Sequence, residues 1–251
     1  MIPGMSDIQL QALCERGQAE LMQTQYLLAA RTLAQAEQQA WDSRDFDTLS
    51  RLYLPLQEAR RQIRQRCSEG AVALHCYPQK PTDIIAAERL VEAFPTGQML
   101  CGGWGSIQPA VGVRRLAFGR SLYLETFLAA VYPIIDSDPV VVIAPVEEAS
   151  LPAAERGPVS ILKSKLPIGC LILTQPEIPS DARVGSADTF AGVMSLWERL
   201  HTPFLEAAAN EPDPHRRMQA YRLALRVDPA CELAHQFLAD IARTLRHSSA
   251  Q

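Results

Sequence analysis

Hydrophobic positions recur at helical spacing in the first and last quarters of the chain. Leu10, Leu13, Cys14 and Leu21 fall on one face of a helix, and Ser6-Asp7-Ile8-Gln9 ahead of them reads as a capping box. Tyr26, Ala29, Ala30, Leu33 and Ala36 mark a second helix. A third is predicted over Phe46–Tyr53. Pro55 removes a backbone donor, so a fourth is expected to start around it and run to Cys67, with Gly70 as the stop. Phe190, Val193, Leu196, Trp197 and Leu200 predict a long helix over about 189–209, which Pro203 would kink or divide. Asp213-Pro214 and Asp228-Pro229 read as two further helix starts, because Asp caps and Pro is tolerated in a first turn.

The middle has a different texture. Short β-rich runs and most of the prolines gather in residues 71–185. The predicted strands are 72–77, 99–101, 113–118, 140–144, 159–162 and 170–174. The predicted helices are 83–94 and 122–131. Two strand–helix–strand units follow, one over 72–101 and one over 113–144, and such units make parallel crossovers. The near-continuous run Val140-Val141-Val142-Ile143-Ala144 fits a strand covered on both faces. The fold class is therefore α/β, a mixed or mostly parallel sheet with helical ends, divided 1–70, 71–185 and 186–251.

Composition narrows the classes of function. Apolar residues make up 47% and charged residues 21%, which suits a packed globular chain. A formal net charge of −4 argues against nucleic acid as the partner. The longest apolar runs, 127–135 and 140–146, are well short of the ~20 residues that span a bilayer, and the first ten residues lack the pattern of a secretory signal. None of the six cysteines forms a CxxC pair. Reduced thiols in a cytoplasmic protein are the simplest expectation. No residue pattern calls for a cofactor or a metal.

Several residues resemble a known helical-repeat pattern. Tyr221 and Ala224 are large then small, three apart, and Pro229 follows Ala224 by five. Ala234, His235, Leu238 and Ala239 then begin a following helix. Near the start, Gly17, Ala29, Leu33 and Ala36 fall at matching intervals, with Trp41 where the closing Pro belongs. These segments, roughly 10–40 and 198–245, resemble tetratricopeptide repeats, helix-turn-helix units with a period of about 34 residues. The resemblance implies tetratricopeptide-like helical hairpins at both ends and a partner that is another protein or peptide. A stable array usually needs at least three repeats, so the two ends would have to stack on one another or on the middle. An ordinary antiparallel bundle is the alternative.

Candidate chemistry is confined to a few places. In a parallel sheet, ligands collect at the carboxyl ends of strands. That rule selects Tyr77, Gln79 and Lys80, then the Gly-rich stretch Gly102-Gly103-Trp104-Gly105-Ser106, then Gly119-Arg120-Ser121, Glu147-Glu148 and Thr174-Gln175. Gly102, Gly103, Gly105 and Ser106 could bring backbone amides to an anion. Ser121 would cap a helix starting at Leu122 and set Arg120 beside its positive end. Glu147 and Glu148 could serve acid–base work or hold a metal, or simply form a solvated turn. His75 and Cys76 face opposite sides of a strand and cannot pair with each other. Arg60 and Arg64 share a helix face and could grip a phosphate or an acidic peptide. No catalytic motif stands out, so the chain reads as a protein-binding or scaffold protein. The alternative is a small-molecule or anion-binding α/β domain, possibly enzymatic, and self-association is a third reading.

Overall fold

The computed structural model describes residues 5–73, 86–177 and 187–249. In chain order, helical segments flank a mixed sheet. Two compact units result. One combines residues 1–64 with 204–251, and the other spans 65–203.

The helical unit contains α1 (Met5–Met22), α2 (Tyr26–Asp42), α3 (Phe46–Ser68), the last residues of α7 (Ala187–Ala209), α8 (Pro214–Val227) and α9 (Glu232–Ser249). Helix α1 has already begun at Met5, so Ser6 lies inside it and not ahead of it. Helix α3 is continuous across Pro55, against the expectation of two helices. Leu52, Tyr53, Leu56 and Ala59, on both sides of the proline, all sink into one core, and this packing outweighs the lost backbone bond. Helix α7 likewise continues through Pro203. Asp213 caps α8 by accepting a bond from the Arg216 N–H at 2.8 Å, as its sequence suggests. Asp228 plays a different part from the one expected: it ends α8 and turns the chain, its Oδ1 accepting from the Ala230 N–H at 3.0 Å.

The residues that carry the repeat resemblance are core residues. Ala29, Leu33, Ala36, Ala224, Ala234, Leu238 and Ala239 are fully buried, and Tyr221 is nearly so. Small side chains here set the helix spacing. A Cβ on Gly17 would come within 2.6 Å of Leu33 Cδ2, so α1 and α2 cross closely only because position 17 has no side chain.

The α/β unit is built on five strands in the order β1-β2-β3-β4-β5. They are β1 (Ala71–Ala73), β2 (Gly97–Trp104), β3 (Leu124–Tyr132), β4 (Val140–Ala144) and β5 (Leu171–Leu173). The first three are parallel, and β4 and β5 continue antiparallel. Helices α4 (Ala87–Ala93), α5 (Gln108–Gly119) and α6 (Val159–Lys165) pack on one face, where Leu90, Val113 and Leu162 meet Met99, Leu128 and Val142. On the other face Phe127 stacks on Trp197 of α7 with ring centroids 4.3 Å apart.

The first strand–helix–strand unit is present as β1–α4–β2. Residues 74–85 lie outside the described residues. The second unit is corrected. Residues 113–118 are helix, 122–131 hold strand β3, and 159–162 are helix. Pro109 opens α5, and Ala110, Val113 and Ala117 are buried at helical spacing, which outweighs the β-branched look of the segment. Strand β3 is covered on both faces, so Leu-Glu-Thr-Phe-Leu-Ala-Ala shows no alternation and reads by propensity as helix. The crossover is therefore β2–α5–β3.

Candidate functional site

The helical unit carries a half-open, solvent-facing cavity of about 500 Å³ between α2, α3 and α8. Each helix presents residues one turn apart. Helix α2 gives Glu37 and Trp41, α3 gives Leu56 and Arg60, and α8 gives Arg222 and Arg226. Gln38, Gln219 and Leu223 complete much of the lining. A smaller cavity of about 260 Å³ shares Trp41 and Gln219 with it and adds Arg44, Phe46 and His215.

Arginine dominates this lining. Arg222 spans from α8 to α2: its Nε meets Glu37 Oε1 at 2.8 Å and its Nη2 donates to Gln38 Oε1 at 2.8 Å. The same guanidinium lies 4.1 Å from the centre of the Trp41 ring, a cation–π contact. Tyr53 donates its hydroxyl to Glu37 Oε1 at 3.0 Å. Burial, reinforced by Glu37, holds the Tyr53 phenol well above its ordinary range, so it stays a donor.

Arg60 and Arg64, paired in the sequence reading, have separate fates. Arg64 is buried and forms an ion pair with buried Asp228 at 2.7 Å, joining α3 to the α8–α9 turn. Arg60 lines the cavity and reaches His235 of α9, with Nη1 at 3.2 Å from Nε2. His235 Nδ1 lies 2.8 Å from the Cys231 carbonyl. A carbonyl only accepts, so Nδ1 carries the hydrogen and Nε2 accepts from Arg60. Burial, and next the Arg60 charge, push His235 down to about 3, so the ring is neutral. Arg60 itself is lowered by burial, against the attraction of Glu37, Tyr53 and Asp228.

The Gly-rich segment lies at the carboxyl end of β2 and leads directly into α5, an arrangement hidden while 113–118 reads as a strand. Gly102 and Gly103 lie within β2, and Gly105 adopts a left-handed φ of 60°. Its amides are engaged inside the turn. The Gly103 N–H donates to the Ser106 carbonyl at 2.9 Å, Gly105 N–H to the Val131 carbonyl at 2.9 Å, and Gln108 N–H to Ser106 Oγ at 3.2 Å. Gly119, Arg120 and Ser121 follow α5 and precede β3. No helix starts at Leu122, so Arg120 stands at the negative end of α5, where the anion argument does not hold.

The antiparallel turn to β4 also divides the expected edge. Gly105 and Ser106 lie at the carboxyl end of β2. Glu147 follows β4 at the opposite edge, where it faces Arg114 and Arg115, each at 3.8 Å. Thr174 closes a small turn by donating to Glu177 at 2.8 Å. His75, Cys76, Tyr77, Gln79 and Lys80 lie outside the described residues.

Sequence reasoning overlooks Glu37, Trp41, Arg222 and Arg226 as one group. Their signal is the i,i+4 spacing of Glu37 with Trp41 and of Arg222 with Arg226, but nothing local states that the two helices, far apart in the chain, face one cavity. No described helix is long and apolar enough to cross a membrane. Comparison with family models, curated proteins and solved structures finds no match for this chain.

Proposed function

We propose that this chain is a binding protein whose tetratricopeptide-like helical unit holds a peptide segment of a partner in the cavity between α2, α3 and α8. The observation that carries this reading is the cavity itself, about 500 Å³, formed by α2 and α8, which bear repeat-like core residues, together with α3. Its mixture of Trp41, Leu56 and Leu223 with amides and guanidinium groups suits a peptide, which offers apolar stems, backbone acceptors and charges together. Selection of random displayed peptides on the full chain tests it. Peptides recovered on the native chain are expected to lose affinity for Gln219→Trp, which fills the cavity from α8. Equal binding to both proteins would remove the cavity from the reading.

A second reading is supported by the same volume, which falls in the range of small-molecule sites. A small organic anion would then occupy the cavity alone. Free anions that displace the selected peptides only weakly, while peptides bind well, would count against it.

A further inference from the structure

Three guanidinium groups, Arg60, Arg64 and Arg222, gather around two carboxylates in the helical unit. Glu37 is held by Arg222 at 2.8 Å and also accepts from Tyr53. Asp228 is held by Arg64 at 2.7 Å. Arg60 stands near both acids, and among the described residues neither forms an ion pair with it. Among the described residues its hydrogen-bond partner is His235, a neutral ring that accepts a single hydrogen, while Glu37 and Asp228 attract it only at longer range.

A guanidinium offers five N–H donors in a planar fork. Arg60 therefore presents a cation and spare donors to the cavity wall. Drawing a charge away from water costs free energy unless a counter-charge accompanies it. The protein holds such a cation in the wall of a cavity rather than in contact with an acid of its own. That arrangement is expected where the counter-charge arrives with a ligand. Arg226 adds further positive character to the lining, and Glu37, the one acid there, is already engaged.

We infer that Arg60 is the anchor for a side-chain carboxylate, Asp or Glu, of the peptide held in this cavity, an inference that rests on the peptide-binding reading. A carboxylate matches the guanidinium fork with two parallel bonds. Trp41, Leu56 and Leu223 would cover the methylene stem of an acidic residue, and inorganic phosphate would leave these apolar walls unused. Arg222, lying over Trp41 and tied to Gln38 and Glu37, forms another part of the wall.

The test uses the full chain with hexaglutamate, hexaglutamine and inorganic phosphate, followed by calorimetry and by Trp fluorescence. Hexaglutamate is expected to bind, hexaglutamine about tenfold or more weaker, and Arg60→Gln should weaken hexaglutamate by about tenfold or more. Arg60→Lys, which keeps the charge and loses the fork, should fall between. Free Arg60→Gln is expected to melt near the temperature of the native chain, because losing the attraction of Glu37 and Asp228 is offset by removing a desolvated cation. That outcome would separate an anchor from a purely structural arginine, whose loss would lower the melting temperature. Equal binding of both peptides, insensitive to Arg60→Gln and Arg60→Lys, overturns the anchor and leaves peptide binding standing. Arg60-dependent binding of phosphate without either peptide overturns both and favours a small anion. Binding of none of the three overturns both as well.

Discussion

Two glycines show how differently the two units are held together. Gly17 lies where α1 and α2 cross, and an added Cβ would meet the side chain of fully buried Leu33, which would have to shift within the core. Gly102 lies within β2, and an added Cβ would run into the Ala129 carbonyl of the neighbouring strand, which cannot yield without moving the ladder. The helical unit is thus fitted together by side chains, and the sheet by backbone. A site made of side chains can vary with the residues that line it. In the sheet, the amides that might have bound an anion are instead consumed by the turn that positions them.

That contrast can be strained at several points. The largest expected effect is in the helical unit. Asp228→Ala leaves Arg64 buried without its carboxylate, and a loss of about 3–5 kcal/mol is expected in denaturant unfolding. A loss below about 1 kcal/mol would mean that this pair is not what joins α3 to the α8–α9 turn. Gly102→Ala comes next, at about 3 kcal/mol, since the overlap is with backbone. Gly17→Ala should cost less, about 1–2 kcal/mol, and a companion Leu33→Val should recover part of it. If Gly17→Ala proved the costlier of the two, the distinction between side-chain and backbone fitting would fail.

His235 supplies a pH signature. Its folded pKa, near 3, lies below the ordinary value of 6.5. From pH 6.5 downward the unfolded chain binds a proton that the folded chain refuses, so stability falls as pH drops from about 6.5 toward 3. The slope is at most about 1.4 kcal/mol per pH unit. Unfolding curves between pH 7 and 4.5 should show it, and His235→Gln should flatten it. An unchanged slope in that variant would assign the effect to other groups. The smallest effect belongs to Asp213→Ala, which removes the α8 cap for about 1 kcal/mol.

Much of the helical unit is legible from the sequence, because helix periodicity and small-residue spacing survive as local patterns. Leu33, Ala36, Tyr221 and Ala224 are core residues at the spacings that mark them. The sheet is legible only where propensity and environment agree. Val140–Ala144 is a strand on both grounds. Leu124–Tyr132 and Gln108–Gly119 exchange roles because burial on both faces of β3 erases alternation, while the α5 segment carries β-branched residues on a helical stripe. The cavity is legible in fragments. Arg60 stands out in an Arg-rich turn, but its neighbours Glu37, Arg222 and His235 come from distant segments, and no local pattern brings them together. Arg64 is equivalent to Arg60 in the sequence but not in the structure, because only the folded chain gives it Asp228.

The helical unit draws on both ends of the sequence, and that has a consequence for synthesis. Arg60 and His235, hydrogen-bonded in the folded protein, are 175 positions apart. On the ribosome the first three helices emerge with half of their core missing. All of Gln65–Pro203 must be translated before the complementary helices appear, a delay on the order of ten seconds. Through that interval Leu33, Leu49, Leu56 and their neighbours lack the partners that α8 and α9 provide. The α/β unit, contiguous in the chain, can finish folding first. A nascent chain of this kind has reason to engage a chaperone early, and the cavity between α2, α3 and α8 exists only after the last helices have arrived.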